Sequence, residues 1–229
     1  MQPTYLPWCG YFGLIQSVDL FILLDSVQFA KRSWQQRNRI KTPTGPSWLT
    51  VPVLSKGKRD QTISDVEIDI DRNHASSHIK SIATNYSRAA FFDQYGPDLL
   101  QEIANLEKHL ADLNIRLIAH CCAALEISTP LVRASQMKST GRRAELLANL
   151  CQEVGASEYI SPLGSKDYLV ESTAFEGVGI PIRYFAFEHP VYPQLFGHFE
   201  PYMSAIDLIL NCGARSNQLI RGSTKPDLH

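Results

Sequence analysis

Positive charge is concentrated in one short part of the chain, between residues 31 and 41. The charged side chains there are Lys31, Arg32, Arg37, Arg39 and Lys41, with Asn38 among them. An arginine can bind a carboxylate or a phosphate through two parallel hydrogen bonds and can stack on a planar ring. Because the whole chain has a net charge of only −1, the cluster predicts a local anion-binding site in which Arg37, Arg39 and Lys41 hold the anion. The alternative is a solvated basic loop.

The N-terminal loop has an unusual composition, with two prolines, a glycine and four aromatic side chains in the first twelve residues. Proline fixes the backbone φ angle, and tyrosine and tryptophan are flat surfaces that carry one polar atom each. This composition predicts a rigid loop on which Tyr5, Trp8 and Tyr11 pack against a sugar or a base. An aromatic plug over the core is the alternative.

A second loop rich in proline and aromatic residues extends over 188–198 and contains Tyr192 and Gln194 as candidate ligand contacts. Its His189 is a candidate for proton transfer, because the ordinary pKa of histidine lies near neutrality. The spacing of Glu188 and the two histidines of this loop fits no common zinc pattern, so no metal is predicted.

Asp25 and Gln28 follow the apolar run 20–24. Polar residues at the carboxyl end of a buried strand tend to face a ligand crevice. We therefore predict that Asp25 transfers a proton and that Gln28, like Asn38, orients a polar group of the ligand. Cys9 is a weak candidate for a nucleophile, because no histidine is near it in the sequence and a lone cysteine is commonly an inert small hydrophobe.

Two more polar pairs are candidate ligand contacts. Ser165 and Lys166 lie between a predicted strand and a predicted helix, where helix amides can bind an anion; an exposed lysine after a capping serine is the alternative. The spacing around them is not that of a Walker motif. Asp207 and Asn211 lie one helical turn apart on one face of an apolar helix. Polar groups there need hydrogen-bond partners, which predicts that they contact a ligand; the alternative is that they bond to other residues in a structural network.

Length and composition restrict the class of protein. With 229 residues, 44% of them hydrophobic and 20% charged, the chain fits a globular protein of one large domain or two small ones. The near-neutral net charge argues against general binding to nucleic acid or to an anionic membrane surface, and no apolar run is long enough to span a bilayer. The five cysteines form no Cys-x-x-Cys pair, which predicts a reduced, cytoplasmic protein.

Predicted strands alternate with predicted helices along most of the chain. Apolar runs predict strands over 20–24, 48–53, 62–70, 129–134, 158–161 and 182–187, and helical periodicity predicts helices over 13–17, 73–85, 94–125, 142–154 and 204–211. This alternation is typical of an α/β fold with a largely parallel, Rossmann-like sheet. We predict a single α/β domain over residues 1–221 with a helical insertion near 73–125, followed by a frayed tail over 222–229.

Several long motifs resemble those of the WbqC-like protein family. They are Gln2-Pro3-x-Tyr5-x-Pro7-Trp8-x-Gly10-Tyr11-Phe12, Leu24-Asp25-x-Val27-Gln28-Phe29, Arg37-Asn38-Arg39-Ile40-Lys41, Trp48-Leu49-x-Val51-Pro52, Tyr159-x-Ser161-Pro162-x-Gly164-Ser165-x-x-Tyr168, His189-Pro190-x-Tyr192-Pro193-Gln194 and Ile206-Asp207-Leu208-x-x-Asn211-Cys212-Gly213. The resemblance covers nearly the whole chain. It implies a role in the synthesis of bacterial surface polysaccharide (O-antigen), for which a glycine transferase activity has been suggested in the family. Family members usually carry a short apolar strand before the Gln-Pro pair, whereas this sequence begins at Met1-Gln2, so either its start is misplaced or that strand is missing.

The order of strand, glycine-containing loop and helix is also similar to nucleotidylyltransferase-like folds, including pantothenate synthetase, which hold ATP and activate a carboxylate. The histidines of their H-x-G-H-type signature are absent from this chain, and likeness of fold alone does not establish adenylation.

The resemblance and the candidate residues together predict a transferase that acts on a sugar or a nucleotide sugar, with ATP or a nucleotide-activated donor as the candidate cofactor. The expected partner is that small molecule, with no nucleic acid and no membrane insertion. The alternative function is a non-catalytic ligand-binding or scaffold protein of the same pathway.

Overall fold

Short strands alternate with helices in residues 1–225, the part of the chain that the computed structural model describes. The α-helices in that range are α1 (Cys9–Ile15), α2 (His74–Tyr86), α3 (Phe92–Ala104), α4 (Leu110–Ala124), α5 (Ala144–Glu153), α6 (Lys166–Val170), α7 (Ala174–Val178), α8 (Ala205–Cys212) and α9 (Arg215–Gly222). The strands there are β1 (Phe21–Leu23), β2 (Arg37–Thr42), β3 (Gly45–Thr50), β4 (Leu131–Arg133), β5 (Tyr159–Pro162), β6 (Ile182–Phe187) and β7 (Thr224–Lys225). Single turns of 3-10 helix lie at Ile63–Asp65, Ile70–Arg72, Ala134–Gln136 and Leu163–Ser165.

The strands of this range form three small sheets. β1 and β4 pair in parallel, with Phe21 opposite Leu131. β2 and β3 form an antiparallel hairpin in which Arg39 lies opposite Trp48. β5 and β6 pair in parallel, and β7 joins β6 in the antiparallel direction. The α/β class is therefore confirmed.

A single, largely parallel Rossmann-like sheet is not confirmed, because the two parallel pairs belong to separate sheets. A cavity of about 370 Å³ is lined by residues of both, including Ile22 of β1 and Ile160 of β5. β1 bonds instead to the first residue of the chain: the Met1 amine donates to the Ile22 carbonyl at 2.7 Å, and the Leu24 N–H donates to the Met1 carbonyl at 2.7 Å. An apolar run predicts that a strand is buried, but it does not predict how many strands pair with it.

The segment 94–125, which was predicted to form at least one long helix, forms two helices, α3 and α4. The Arg116 guanidinium of α4 stabilises the connection between them by donating to the carbonyls of Glu102 and Asn105, both at 2.6 Å. Leu106 lies in this connection and is 70% exposed. Pro97 lies inside α3. Together with α2, these helices occupy the segment near 73–125 for which we propose an insertion into a single domain.

The strand predicted over 62–70 is wrong, because side-chain hydrogen bonds turn the backbone there. The Thr62 hydroxyl donates to the Asp65 carboxylate at 2.6 Å, and the Thr62 N–H donates to the same oxygen at 3.3 Å. These two residues enclose the 3-10 turn Ile63–Asp65 in a capping box. The neighbouring backbone makes only isolated bridges, between Gln28 and Thr62, Val53 and Ile68, and Glu67 and His109.

Helix α8 lies in the core and carries one carboxylate. The Ser204 hydroxyl accepts the Ile206 N–H at 3.4 Å and caps the helix, and Gly213 ends it with φ +56°. A Cβ on Gly213 would lie 2.4 Å from the Phe91 ring, so glycine is required there by both backbone and space. Asp207, the charged residue of this helix, has no exposed surface.

The last described elements, α9 and β7, extend beyond those that the sequence predicted. α9 is held by Ile220, which is fully buried. Thr224 and Lys225, which belong to the tail predicted to fray over 222–229, pair with β6. Residues 226–229 lie outside the described residues, and the fraying stays a prediction. None of the helices within 1–225 has the length and apolar character needed to cross a membrane.

Candidate functional site

The N-terminal loop, strand β2 and the loop after β6 meet at the start of α8. The backbone N–H of Ala205 donates to the Pro7 carbonyl at 2.7 Å, and that of Ser204 donates to the Arg39 carbonyl at 2.9 Å. Trp8 also forms a bridge with Ser204. Candidate residues from three distant sequence motifs are therefore parts of one region.

A buried polar centre, formed by Lys41, Tyr86, Tyr192, Gln194 and Asp207, lies below this junction. The Asp207 carboxylate accepts three side-chain hydrogen bonds: from Tyr86 to Oδ1 at 2.7 Å, and from Tyr192 and Gln194 to Oδ2 at 2.8 and 2.7 Å. The Lys41 N–H donates to the Tyr86 hydroxyl at 3.0 Å. The Lys41 ammonium donates to a backbone carbonyl of the loop after β6.

Burial dominates the electrostatics of this centre. It raises the pKa of Asp207 above its ordinary value, and the hydrogen bonds and the charge of Lys41 oppose that rise. Burial also raises the pKa of Tyr86 and of Tyr192 far above the ordinary value. Both hydroxyls therefore stay protonated and donate hydrogen bonds to the carboxylate. A ligand could reach Asp207 only if this centre opened, because the carboxylate has no exposed surface.

His189 lies beside the polar centre and is partly exposed. Its Nδ1 donates to the Pro190 carbonyl at 2.8 Å, which leaves Nε2 as an acceptor. Nε2 accepts the Tyr202 N–H at 3.1 Å and lies 3.4 Å from the Cys9 thiol. Burial lowers the pKa of His189 and raises the pKa of Cys9 to about 12. The thiol is therefore protonated near neutral pH, and this geometry does not supply a thiolate nucleophile.

Aromatic rings connect His189 to the surface. Trp8 stacks on His189 with 6.0 Å between ring centroids, and the Tyr202 ring meets His189 edge-on at 5.2 Å. Trp8 lies flat over Gly10, where a Cβ would come within 2.3 Å of the indole. Only glycine leaves room for this arrangement of Trp8. Tyr202 is half exposed, so one end of the ring cluster reaches solvent.

The β2–β3 hairpin presents an arginine–tryptophan face, formed by Trp34, Arg37, Arg39, Trp48 and Tyr202. The guanidinium carbon of Arg37 lies 4.2 Å from the Trp48 ring centroid, and that of Arg39 lies 5.6 Å from the same centroid. Trp34 and Trp48 lie 5.3 Å apart and are 49% and 44% exposed. An open surface of indole rings with arginines stacked on them suits a planar or ring-shaped ligand that carries an anion.

The arginines of this face have guanidinium N–H donors that are not used in ion pairs with described residues. Within residues 1–225 neither Arg37 nor Arg39 forms an ion pair with a carboxylate. Arg39 donates to the Tyr202 carbonyl at 3.5 Å, while its buried Nε has no acceptor among the described residues. A buried donor without a partner costs about 1–3 kcal/mol, so an anion that accepted from Arg39 would recover part of that cost.

Asp25 is at the end of β1, in a different network. Its carboxylate accepts hydrogen bonds from Arg133 Nε at 2.7 Å, from the Ser135 N–H at 2.8 Å and from the Ser135 hydroxyl at 2.7 Å. Arg133 also donates to Asp112 at 2.6 Å. Asp25 is fully buried and accepts these three hydrogen bonds. Its predicted proton transfer stays a prediction.

Tyr5 and Tyr11, two of the three aromatic residues predicted to contact a ligand, are buried. The Tyr5 hydroxyl donates to His78 Nδ1 at 2.8 Å, and the Tyr11 hydroxyl donates to the Gln2 carbonyl at 3.1 Å. Both rings pack in the core. At these two positions the structure therefore resembles the alternative, an aromatic plug over the core.

The remaining predicted residues are spread over the molecule. Gln28 is exposed and makes a long contact, 3.5 Å, to the Arg59 carbonyl. Ser165 and Lys166 lie at the start of α6, where the Lys166 ammonium lies 5.3 Å from the centroid of the Tyr184 ring. Asn38 and Asn211 bind backbone carbonyls, those of Leu6 at 2.6 Å and Asp207 at 2.7 Å. Their ligand contacts stay predictions.

Sequence reasoning missed Trp34, Trp48, Tyr86 and Tyr202, and it did not pair Cys9 with His189. The available signal for the hairpin was an alternation of residues in β2. Asn38 and Ile40 are buried, and Arg37 and Arg39 are partly exposed. Among residues 1–225, no group of three or more histidine, cysteine, aspartate or glutamate side chains is placed to hold a metal ion.

The buried histidine beside Tyr5 makes stability depend on pH. Burial lowers the pKa of His78 to about 4, against about 6.5 in the unfolded chain. Above that value the ring is neutral in both states; as the pH falls below it, the unfolded chain binds a proton that the folded chain does not. We expect His78 alone to lower the free energy of unfolding by about 3 kcal/mol as the pH falls from about 6.5 to 4.

Urea denaturation at several pH values checks this expectation by comparing the parent protein with matched variants. His78→Gln should remove the contribution and make the profile less steep below pH 6.5, whereas His198→Gln, at an exposed position, should leave the slope close to that of the parent. Equal slopes for the parent protein and His78→Gln would contradict the assignment.

A mixed α/β protein with a buried carboxylate centre and an arginine–tryptophan face is the class that fold and site define. The chain belongs to the WbqC-like protein family, whose model matches residues 2–219. It is 40% identical, over 224 residues and 96% of each chain, to "Uncharacterized protein Rv1507c" of Mycobacterium tuberculosis. No solved structure was found to match it. The family membership that the motifs indicated is therefore confirmed.

Proposed function

We propose that this protein is a cytoplasmic transferase of bacterial surface-polysaccharide (O-antigen) synthesis that binds a nucleotide sugar on the arginine–tryptophan face. The observation that carries the proposal is the pair Arg37 and Arg39, stacked on half-exposed indoles with no carboxylate partner among the described residues. Phosphates accept hydrogen bonds from guanidinium groups, and sugar and base rings pack on indoles. The free, buried cysteines support a reduced compartment.

The group transferred is, in this proposal, an aminoacyl group such as glycyl, delivered to an amine of the sugar by an activated donor. The amine attacks the donor's carbonyl carbon, the amide bond forms, the donor's leaving group departs, and a base takes the proton that the amine loses. His189 is the candidate base because its Nε2 is an acceptor and its ring touches Trp8 and Tyr202. The buried polar centre holds the loop that carries it.

The second candidate is a binding protein of the same pathway that performs no chemistry. One observation favours it: the Nε2 lone pair of His189, which would take the proton, already accepts the Tyr202 N–H. His189→Asn separates the two. A catalyst with that change loses turnover and keeps its affinity, whereas a binding protein shows no turnover with either residue.

Intrinsic tryptophan fluorescence tests the binding proposal, because two of the three tryptophans form the face. Titration with UDP-glucose, UDP-N-acetylglucosamine, GDP-mannose and dTDP-glucose should give saturable quenching with at least one of them. Arg39→Gln should weaken that binding about tenfold or more, as expected for losing a charged hydrogen-bond donor to phosphate.

Arg88→Gln is the matched control, since Arg88 is an exposed arginine outside the face and the substitution removes the same charge. It should leave the affinity within about twofold of the parent. Equal weakening by both substitutions would mean that only net charge matters, and the absence of quenching by every nucleotide sugar would overturn the proposal.

A further inference from the structure

A cavity of about 680 Å³ lies beside β3 and the start of α2, outside the site described above. The residues around it that can bind an anion are Lys31, Arg32, Arg72, His74, Ser77 and Gln36. None of the residues that line it belongs to the arginine–tryptophan face or to the buried polar centre.

The charge around this cavity is positive. Asp69 is the carboxylate that lines it, and this carboxylate is already paired with Arg72 at 3.1 Å. The Lys31 ammonium donates to the Ser55 carbonyl at 3.1 Å, and the Arg32 guanidinium has no ion pair within residues 1–225. Lys31 and Arg32 therefore contribute two charges that no described carboxylate neutralises.

Helix α2 begins at the cavity wall with its amide groups uncapped. His74 is its first residue, and the preceding Asn73 adopts φ +44° without a side-chain hydrogen bond to the helix. No acidic residue lies in the first turn. The first amides of a helix have no intrahelical acceptor, and the positive end of the helix dipole favours an anion there.

His74 is the independent observation that indicates a missing ligand. Its side chain lines the cavity, is only 7% exposed and has no hydrogen bond to any described residue. Its neighbour His78, whose ring centroid lies 5.6 Å away, is satisfied by the Tyr5 hydroxyl at 2.8 Å and by the backbone of Thr50. The ring nitrogens of His74 have no hydrogen-bond partner among the described residues and are therefore available to a group bound in the cavity.

We propose that this cavity binds a phosphate group, carried by a phosphomonoester or a diphosphate. Lys31 and Arg32 neutralise its charge, the first amides of α2 and the His74 ring donate hydrogen bonds, and Ser77 can donate another. A phosphate accepts from more donors than a carboxylate does, and this site offers donors from several directions. The site goes beyond the proposed function, because it would be separate from the surface that takes the nucleotide sugar.

Isothermal titration of the full chain tests this site with inorganic phosphate, pyrophosphate, glucose 1-phosphate and ADP as probes. We expect saturable binding of at least one probe with one site per chain. Lys31→Gln combined with Arg32→Gln should weaken it about tenfold or more. Both side chains are exposed, so this variant is expected to fold, and thermal unfolding of the free variant verifies that it does.

Lys80→Gln is the control, because Lys80 lies on α2 but does not line the cavity. It should change the affinity by less than about twofold. Binding that is absent from the parent, or that Lys80→Gln weakens as much as the double substitution does, overturns the proposal. A preference for ADP or pyrophosphate identifies a diphosphate, and a preference for glucose 1-phosphate identifies a phosphomonoester.

A second substitution makes this test independent of the nucleotide-sugar proposal. Arg39→Gln changes the arginine–tryptophan face without removing a fluorescent tryptophan and should leave phosphate affinity unchanged, while the double substitution at residues 31 and 32 should leave nucleotide-sugar quenching in place. If Arg39→Gln weakens both kinds of binding equally, there is one site and the separate phosphate site is wrong. If it weakens only nucleotide-sugar binding, both sites stand.

Discussion

Asp207→Asn should lower the free energy of unfolding by about 3–5 kcal/mol, as expected when a buried charged network loses one partner. The Asp207 carboxylate accepts from Tyr86 on one oxygen and from Tyr192 and Gln194 on the other. An asparagine amide offers one oxygen and one NH₂ group, so at least one of these donors would face another donor. The Tyr86 hydroxyl cannot rotate freely to avoid that donor, because it already accepts the Lys41 N–H.

Urea denaturation at neutral pH measures this loss, and Asp167→Asn provides the matched control. Asp167 is exposed on α6, so the same substitution there should change the free energy of unfolding by less than about 0.5 kcal/mol. If Asp207→Asn were as mild as the control, the buried polar centre would not hold the loop after β6 in the way that its hydrogen bonds imply.

Asp25→Asn should have the second large effect, a loss of about 3 kcal/mol or more, because it removes the charge that neutralises a partly buried arginine. Arg133 and Ser135 together place three donors on the Asp25 carboxylate. These bonds join the end of β1 to the last residue of its parallel partner β4 and to the turn that follows it. The substitution therefore loosens the pairing of the two strands as well as the ion pair.

Asp112→Asn is the control that separates the effect of burial from the effect of losing a charge. Asp112 pairs with the same arginine, but its side chain is 35% exposed. Its loss should cost about 1 kcal/mol or less. Folded Asp25→Asn protein should keep its nucleotide-sugar affinity, since Asp25 has no contact with the arginine–tryptophan face. A selective loss of turnover at unchanged stability would instead favour the proton transfer that the sequence predicted for Asp25.

Apolar runs and helix-capping residues predicted well the strands and helices in which they lie. The apolar run 182–187 coincides with β6. Helix α8 differs by one residue at each end from its predicted range 204–211, since Ser204 caps it and Gly213 follows its last residue. Charge concealed the period-two pattern of β2, where Asn38 and Ile40 are buried and Arg37 and Arg39 are partly exposed. The cationic cluster was recognised, but the strand that presents two of its arginines was not.

Pairs of distant residues could not be predicted from one sequence. The contact between Cys9 and His189 joins positions 180 residues apart, and the ion pair of Asp25 with Arg133 spans 108 residues. The placement of Trp48 opposite Arg39 depends on the register of the hairpin, which the turn geometry sets. Residue types therefore indicated an anion site, while the tryptophans that complete it required the fold.

Saturation-transfer NMR on a nucleotide sugar is the measurement that tests the central claim most directly. With UDP-N-acetylglucosamine as the probe, or whichever nucleotide sugar quenches fluorescence best, magnetisation should pass from the parent protein to the base and sugar protons of the ligand. Trp48→Ala should remove most of this transfer, and Tyr168→Ala, at an exposed aromatic residue outside the face, should preserve it. Equal transfer in all three proteins, or none in the parent, would contradict the assignment of the arginine–tryptophan face as the ligand site.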